Sequence, residues 1–282
     1  MISPNGDFAT LIRAFLTRKK GQAKLPVSLS ILLGIFLAPQ LACGVLSGSG
    51  GSAAKPSPSP DQTAIVGQIL ARYTEAVGGE AAIEQVKSYQ AKGTFTTSIS
   101  PVQGTFETWG KEPNKTLTVL EFPRIGALKK GFDGKTRWVQ TPAGTFSDQS
   151  PKEIAEIERD ADVYRAARIK SLYESMKLDS KARLSGRDVY VVEGTPVKGP
   201  PEKLLFDTES GLLLRWDMGR RDPNRGYVFV KAHLDDYREV DGVRVPFSVC
   251  FAFESFDFTV KINELKHNVS IDDAIFEKPG GR

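Results

Sequence analysis

The residues that could do chemistry are few and scattered. His233 and His267 are the only histidines, and they stand in no HExxH-type spacing and beside no cysteine cluster, so a zinc site has no ligand set. The sequence contains no GxSxG elbow, no Walker loop and no GxGxxG turn following a strand. Hydrolase, nucleotide and dinucleotide readings therefore have no motif to stand on. Asp235-Asp236 and Asp272-Asp273 are adjacent in sequence, but neighbours on a strand point to opposite faces, and the second pair stands where a helix cap would use it. Cys250 lies between Val249 and Phe251 with no basic neighbour to depress its pKa, which is the setting of an inert thiol. The run RWDMGRRDPNRG at 215–226 gathers four arginines with Asp217 and Asp222 in a hairpin loop, either as a solvated loop or as a docking patch for an acidic partner. No catalytic residue, metal or cofactor is expected.

The other cysteine, Cys43, sits in LAPQLACGVLSGSG at 37–50. Arg18, Lys19, Lys20 and Lys24 precede an apolar run from Pro26 to Leu46, the order of an export signal. Three outcomes fit residues 1–42: a signal cleaved at and acylated on Cys43, a signal cleaved elsewhere, or an uncleaved anchor of roughly 20 apolar residues. Ala42 suits a lipidation site resembling that of bacterial lipoproteins; Gln40 and Pro39 depart from it. Gly44 in place of aspartate after the cysteine points to the outer membrane if Cys43 is acylated. Each outcome exports the chain from residue 61 onward. Residues 43–60, ending in SGSGGSAAKPSPSP, read as a flexible Gly/Ser/Pro tether to a single domain at 61–282.

Charge agrees with that division. The first 60 residues hold six basic side chains and one acidic, leaving 32 basic and 33 acidic beyond them. The net charge of +4 thus belongs to the leader, and a phosphate-seeking surface for nucleic acid is not expected on the domain.

The elements of the domain follow from period. Ile65, Ile69, Tyr73 and Val77 recur at four-residue spacing after Asp61 and before Gly78-Gly79, an amphipathic helix. From 88 to 142 the text is strand and turn, with Asp133-Gly134 as a hairpin signal. Ser150-Pro151-Lys152-Glu153 opens a helical stripe through Ile154, Ile157, Ala161 and Tyr164, and Ile169, Leu172, Tyr173 and Met176 form a second stripe. Strands then resume, punctuated by Ser185-Gly186, Ser210-Gly211 and Asp241-Gly242, and IDDAIFEKP closes the chain with a short helical turn. Strands, helices, strands without βαβ alternation make an α+β domain on an antiparallel sheet. Along 243–253, Val243, Val245, Phe247, Val249, Phe251 and Phe253 share one face, which needs a cover that only the helices can supply.

ILARYTEAVGGEAAIEQVKSYQAKGTF at 69–95, GFDGKTRWVQ at 131–140, LLFDTESGLLLRW at 204–216, VDGVRVPF at 240–247 and IDDAIFEKP at 271–279 resemble the bacterial outer-membrane lipoprotein-sorting-like family, across nearly all of 61–282. The resemblance implies a strongly curved antiparallel sheet, an incomplete β-barrel, with helices covering the concave face. It also implies a concavity that holds acyl chains. The expectation is an exported, membrane-tethered binding protein on the periplasmic side of the envelope, taking a lipid or an acylated protein as partner. Phe247, Val249, Phe251 and Phe253 would line the cavity, with Ile169, Leu172 and Met176 on a movable lid. The alternative is a non-catalytic interaction module of the envelope with a packed core.

Overall fold

Alternation of period two, broken by glycine and aspartate turns, builds one sheet of 13 strands. The computed structural model describes residues 60–98, 102–144, 146–148, 169–197, 199–222 and 226–280. The leader, Cys43, the tether and the stripe from Ile154 to Tyr164 lie outside the described residues.

The strands are β1 (Ser88–Thr97), β2 (Gln103–Lys111), β3 (Lys115–Phe122), β4 (Gly126–Phe132), β5 (Arg137–Gln140), β6 (Phe146–Asp148), β7 (Ser175–Leu184), β8 (Arg187–Thr195), β9 (Glu202–Asp207), β10 (Leu213–Asp222), β11 (Gly226–Val240), β12 (Val243–Ala252) and β13 (Asp257–His267). Their order is β6-β5-β4-β3-β2-β1-β13-β12-β11-β10-β9-β8-β7. Every neighbour is thus a hairpin partner except at the junction of β1 with β13, where the first and last strands pair antiparallel. Two-residue turns with both residues at positive φ close the β7–β8 and β11–β12 hairpins: Ser185-Gly186 at 49° and 86°, and Asp241-Gly242 at 49° and 80°. These are the left-handed pairs that match strand twist.

Helix α1 (Pro60–Ala76) buries Val66, Ile69, Leu70 and Tyr73 against the sheet, with Val77 buried just past its end. Ile65, expected on that face, is 39% exposed. A strict four-residue spacing drifts around a helix of 3.6 residues per turn, and the buried stripe instead follows the mixed three- and four-residue spacing. The helix ends in a Schellman motif, with Gly79 N–H donating to Thr74 O at 2.8 Å and Gly78 N–H to Glu75 O at 3.0 Å. A short α2 (Glu80–Glu84) comes next and buries Ile83.

A flat sheet of this strand number would be roughly 55–60 Å wide at the usual strand spacing. Yet one continuous apolar cluster joins Val139 on β5 to Met176 on β7 and Val192 on β8, together with the α1 stripe. Strands from the two ends of the sheet can share a core only if the sheet curls around it. It is not closed: β6 and β7 are its two free edges among the described residues. The expected incomplete barrel is the observed one.

Two expectations are corrected. Ile169, Leu172, Tyr173 and Met176 do not form a helical stripe: Ile169–Leu172 is a single 3-10 turn, and Met176 belongs to β7, opposite Gly194 of β8. The spacing of these apolar residues mimicked a helix, but the free backbone groups of β8 claimed the segment for the sheet. The arginine-rich run at 215–226 is mostly strand, since β10 extends through Asp222 and β11 begins at Gly226.

On the opposite face, the C-terminal 3-10 turn Asp273–Phe276 covers Leu117 and Trp138. Asp272 caps it by accepting from Ala274 N–H at 3.0 Å, as its position in the sequence suggests, and the Trp138 indole donates to Phe276 O at 2.8 Å. Asp273 accepts from Lys111 Nζ at 2.7 Å and Lys115 Nζ at 2.6 Å. These two lysines hold its carboxyl at about 2, below the usual 3.8. A depressed carboxylate contributes stability above its unfolded pKa and loses it as pH falls through the folded one. The clamp is therefore expected to persist below pH 4 and to release as pH approaches 2, read by tryptophan fluorescence; Asp273→Asn should show the released signal at neutral pH.

Gly78, at φ 118°, has no room for a side chain, because a Cβ there would sit 2.1 Å from the backbone oxygen of Gly242. Gly78→Ala should cost at least about 2 kcal/mol in urea unfolding, through the disfavoured backbone and the displaced β11–β12 turn. Gly242→Ala, whose Cβ would meet only the Ala82 methyl at 3.8 Å, should cost about 1 kcal/mol.

Candidate functional site: the concave face of the sheet

Cross-strand register places the inward side chains of β1–β5 in rows. Phe106, Leu120 and Leu128 stand opposite one another on β2, β3 and β4, all buried and apolar. One step along the strands, Thr108, Thr118, Lys130 and Val139 form the next row. A further step gives Thr116, Phe132 and Arg137. Alternation puts all of these on the same face, and Leu120, Leu128 and Val139 belong to the main apolar cluster. The face thus changes from hydrocarbon to hydroxyl and cation within two residues of strand.

The polar row is buried. Thr108 Oγ1 donates to Leu117 O at 3.1 Å and lies 3.0 Å from Thr118 Oγ1. Lys130 is 9% exposed and Arg137 5%. Loss of hydration, reinforced by the neighbouring Arg137 charge, pushes the Lys130 amine well below the usual lysine range.

The other half of the face, on β7–β10, carries a buried carboxylate. Glu202 accepts from Tyr173 Oη at 2.7 Å and from Trp216 Nε1 at 3.0 Å. Tyr173 reaches it by lying over Gly194, where a Cβ would be 2.6 Å from the ring. Gly194 in turn faces both Met176 and Glu202 across the ladder. This network ties the 3-10 turn, and with it Ile169 and Leu172, to the sheet.

Among the residues expected to line a cavity, Ile169, Leu172, Met176 and Phe251 are buried in the main cluster, with Val249 and Phe253 partly buried against it. Phe253 stacks on Phe256 at 4.3 Å in the β12–β13 turn. Phe247, on the same strand, is buried outside that cluster, with the Arg238 guanidinium 4.6 Å from its ring centre. Cys250 is a free, half-buried thiol opposite His233. Burial lowers both His233 and His267. Among the described residues, no group of three His, Cys, Asp or Glu side chains could hold a metal.

The sequence reading missed Lys130 and Glu202, although each had a signal. Lys130 falls midway between Leu128 and Phe132 at the two-residue spacing of a buried face, and Glu202 is two residues before Leu204 and four before Phe206.

No protein-family model and no curated relative matches the sequence. Solved structures do. A DUF1329 family protein from Desulfovibrio piger superposes with a TM-score of 0.53 at 18% identity, covering 74% of this chain and 97% of that one. A LolA superfamily protein from Nitrosomonas europaea gives 0.50 at 14% identity, covering 73% and 97%. The chain shares the fold of these two structures. In this sheet the two halves share one apolar interior, so the polar row on β2–β4 and the Glu202 network lie on the same concave face.

Removing the phenol that fixes the 3-10 turn tests that network. Tyr173→Phe should cost about 1–3 kcal/mol in denaturant unfolding, because a buried carboxylate loses a donor. A double-mutant cycle with Trp216→Phe should show coupling of at least about 0.5 kcal/mol, since both donors share Glu202 Oε2.

Proposed function

We propose that the protein is an exported, N-terminally membrane-tethered binding protein whose concave face accepts a lipid or the acyl group of a lipoprotein. The observation that carries the reading is the single apolar interior shared by both ends of an open sheet. The edges of the open sheet, β6 and β7, are consecutive among the described strands. The LolA-like fold and the family resemblance of the sequence support an acyl chain as occupant. Each buried methylene contributes about 0.8 kcal/mol, so a chain is held without many polar contacts. Ile169, Leu172, Met176, Val249, Phe251 and Phe253 form the apolar lining, and Phe247 flanks it.

In this reading residues 1–42 are the export signal, Cys43 is the acylated residue, 43–60 is the tether and 61–282 is the binding domain. The protein then sits on the periplasmic side of the envelope, at the outer membrane when Cys43 is acylated. It works without catalysis.

A second reading, a non-catalytic interaction module, is favoured by how completely some inward residues are covered. Phe95 and Leu204 have no exposed surface, and Phe206 and Phe258 have 1%.

Native mass spectrometry of the full chain from its own membranes separates the two. Binding predicts an acyl increment on the N-terminal cysteine and a lipid released by organic extraction. It also predicts that Phe251→Glu lowers affinity for a dansyl-labelled long-chain probe by about ten-fold or more, as expected for removing one buried aromatic surface. A chain that carries no lipid and binds no such probe is the interaction module.

A further inference from the structure

Lys130 has no reason to be inside a core built only of side chains. It is nine-tenths buried, and its ammonium makes no hydrogen bond or ion pair among the described residues. Arg137 lies buried on the same face of the adjacent strand, diagonal to it in the ladder. The strand carboxylates of this half of the sheet, Glu107 and Glu121, alternate to the opposite face; Glu107 there pairs with Lys92 at 2.9 Å. Burying a cation with no counter-charge among the described residues is costly, and a methionine or leucine would fill the same space at no such cost.

The surroundings of this cation suit an anion. Thr118 stands directly across the ladder from Lys130, and its buried hydroxyl can turn its proton toward a ligand, whereas that of Thr108 is committed to the Leu117 carbonyl. A hydroxyl can donate to an anionic oxygen, and a lysine supplies up to three donors with a charge. One strand step away the face is wholly apolar, with Phe106, Leu120 and Leu128. Cation and hydroxyl beside hydrocarbon match the two ends of an amphiphile.

We propose that the Lys130 row is an anion subsite, in which Lys130 and the Thr118 hydroxyl hold the phosphate or carboxylate of an anionic amphiphile while its chain runs toward the apolar rows. This rests on the lipid reading of the concave face and deepens it by naming the charge of the headgroup. Selectivity for anionic over neutral lipids then comes from the sheet itself.

Isothermal titration of the full chain with decyl phosphate, decanol and inorganic phosphate tests the subsite, in the wild type, Lys130→Met and Lys130→Arg. Decyl phosphate is expected to bind the wild type at least about ten-fold more tightly than decanol, equivalent to about 1.4 kcal/mol. Lys130→Met should erase that difference, and Lys130→Arg should keep most of it. Equal binding of the two amphiphiles to the wild type overturns the subsite and leaves the lipid reading intact. Inorganic phosphate binding as tightly as decyl phosphate, and lost in Lys130→Met, keeps the subsite but assigns it to a free anion and removes the lipid reading. Binding of none of the three overturns both. The wild-type comparison decides even if a variant does not fold.

Discussion

The pairing of β1 with β13 is the contact on which the rest of the architecture depends. All other strand neighbours are joined by hairpins and need only short loops closed. This one brings residues 89–97 against 258–267, and it alone converts two strand meanders into a continuous sheet. Its register shifts between Lys92 and Gly93, a bulge that bends the sheet where Gly93 packs its backbone against the Lys261 carbonyl and the Phe106 ring. A side chain at 93 would push β1 from β13, and the two halves would no longer share a core. Without the curl, Val139 on β5 and Val192 on β8 would lie at opposite ends of a wide plane, each needing its own cover.

Helix α1 depends on that curl in turn. It is one helix of 17 residues, and it can serve so many strands only because they wrap toward it. Its C-terminal end is fixed by backbone contacts as well as by side chains: Arg244 N–H donates to Val77 O at 2.9 Å, and Tyr73 packs edge-on against Phe206 at 5.4 Å. Both contacts land on strands from the second meander. The helix therefore locks the geometry that the β1–β13 junction makes available.

Within the interior the division of polarity is uneven. The second meander contributes apolar residues and the buried carboxylate of Glu202, which accepts from Tyr173 and Trp216. The first meander contributes hydroxyls and cations at one end of its inward face and hydrocarbon at the other. Native cores tolerate buried polar groups when these are hydrogen-bonded, as Glu202 is. Lys130 departs from that rule, and sites that depart from local consistency are where function is expected.

Much of this was legible in the amino-acid order. Period two marked the strands, Ser185-Gly186, Asp133-Gly134 and Asp241-Gly242 marked their ends and Gly78-Gly79 marked the end of α1, because left-handed backbone is a property of single residues and short turns. The cap at Asp272 was visible for the same reason. What failed was the assignment of segments whose local pattern suits two structures: Met176 reads as part of a helix by spacing, and only the unpaired edge of β8 makes it a strand. On α1, Ile69 and Tyr73 are buried as their spacing predicts, and Ile65 is not, because four-residue spacing approximates a turn that is not an integer. The sequence by itself determined an antiparallel α+β domain, since turns and periodicity are local features. Tertiary structure alone decided which inward rows face one another. Lys130 becomes the neighbour of Thr118 through hairpin register, and the β5 and β8 ends become neighbours through curvature. Both are non-local distances, which no single stretch of sequence encodes.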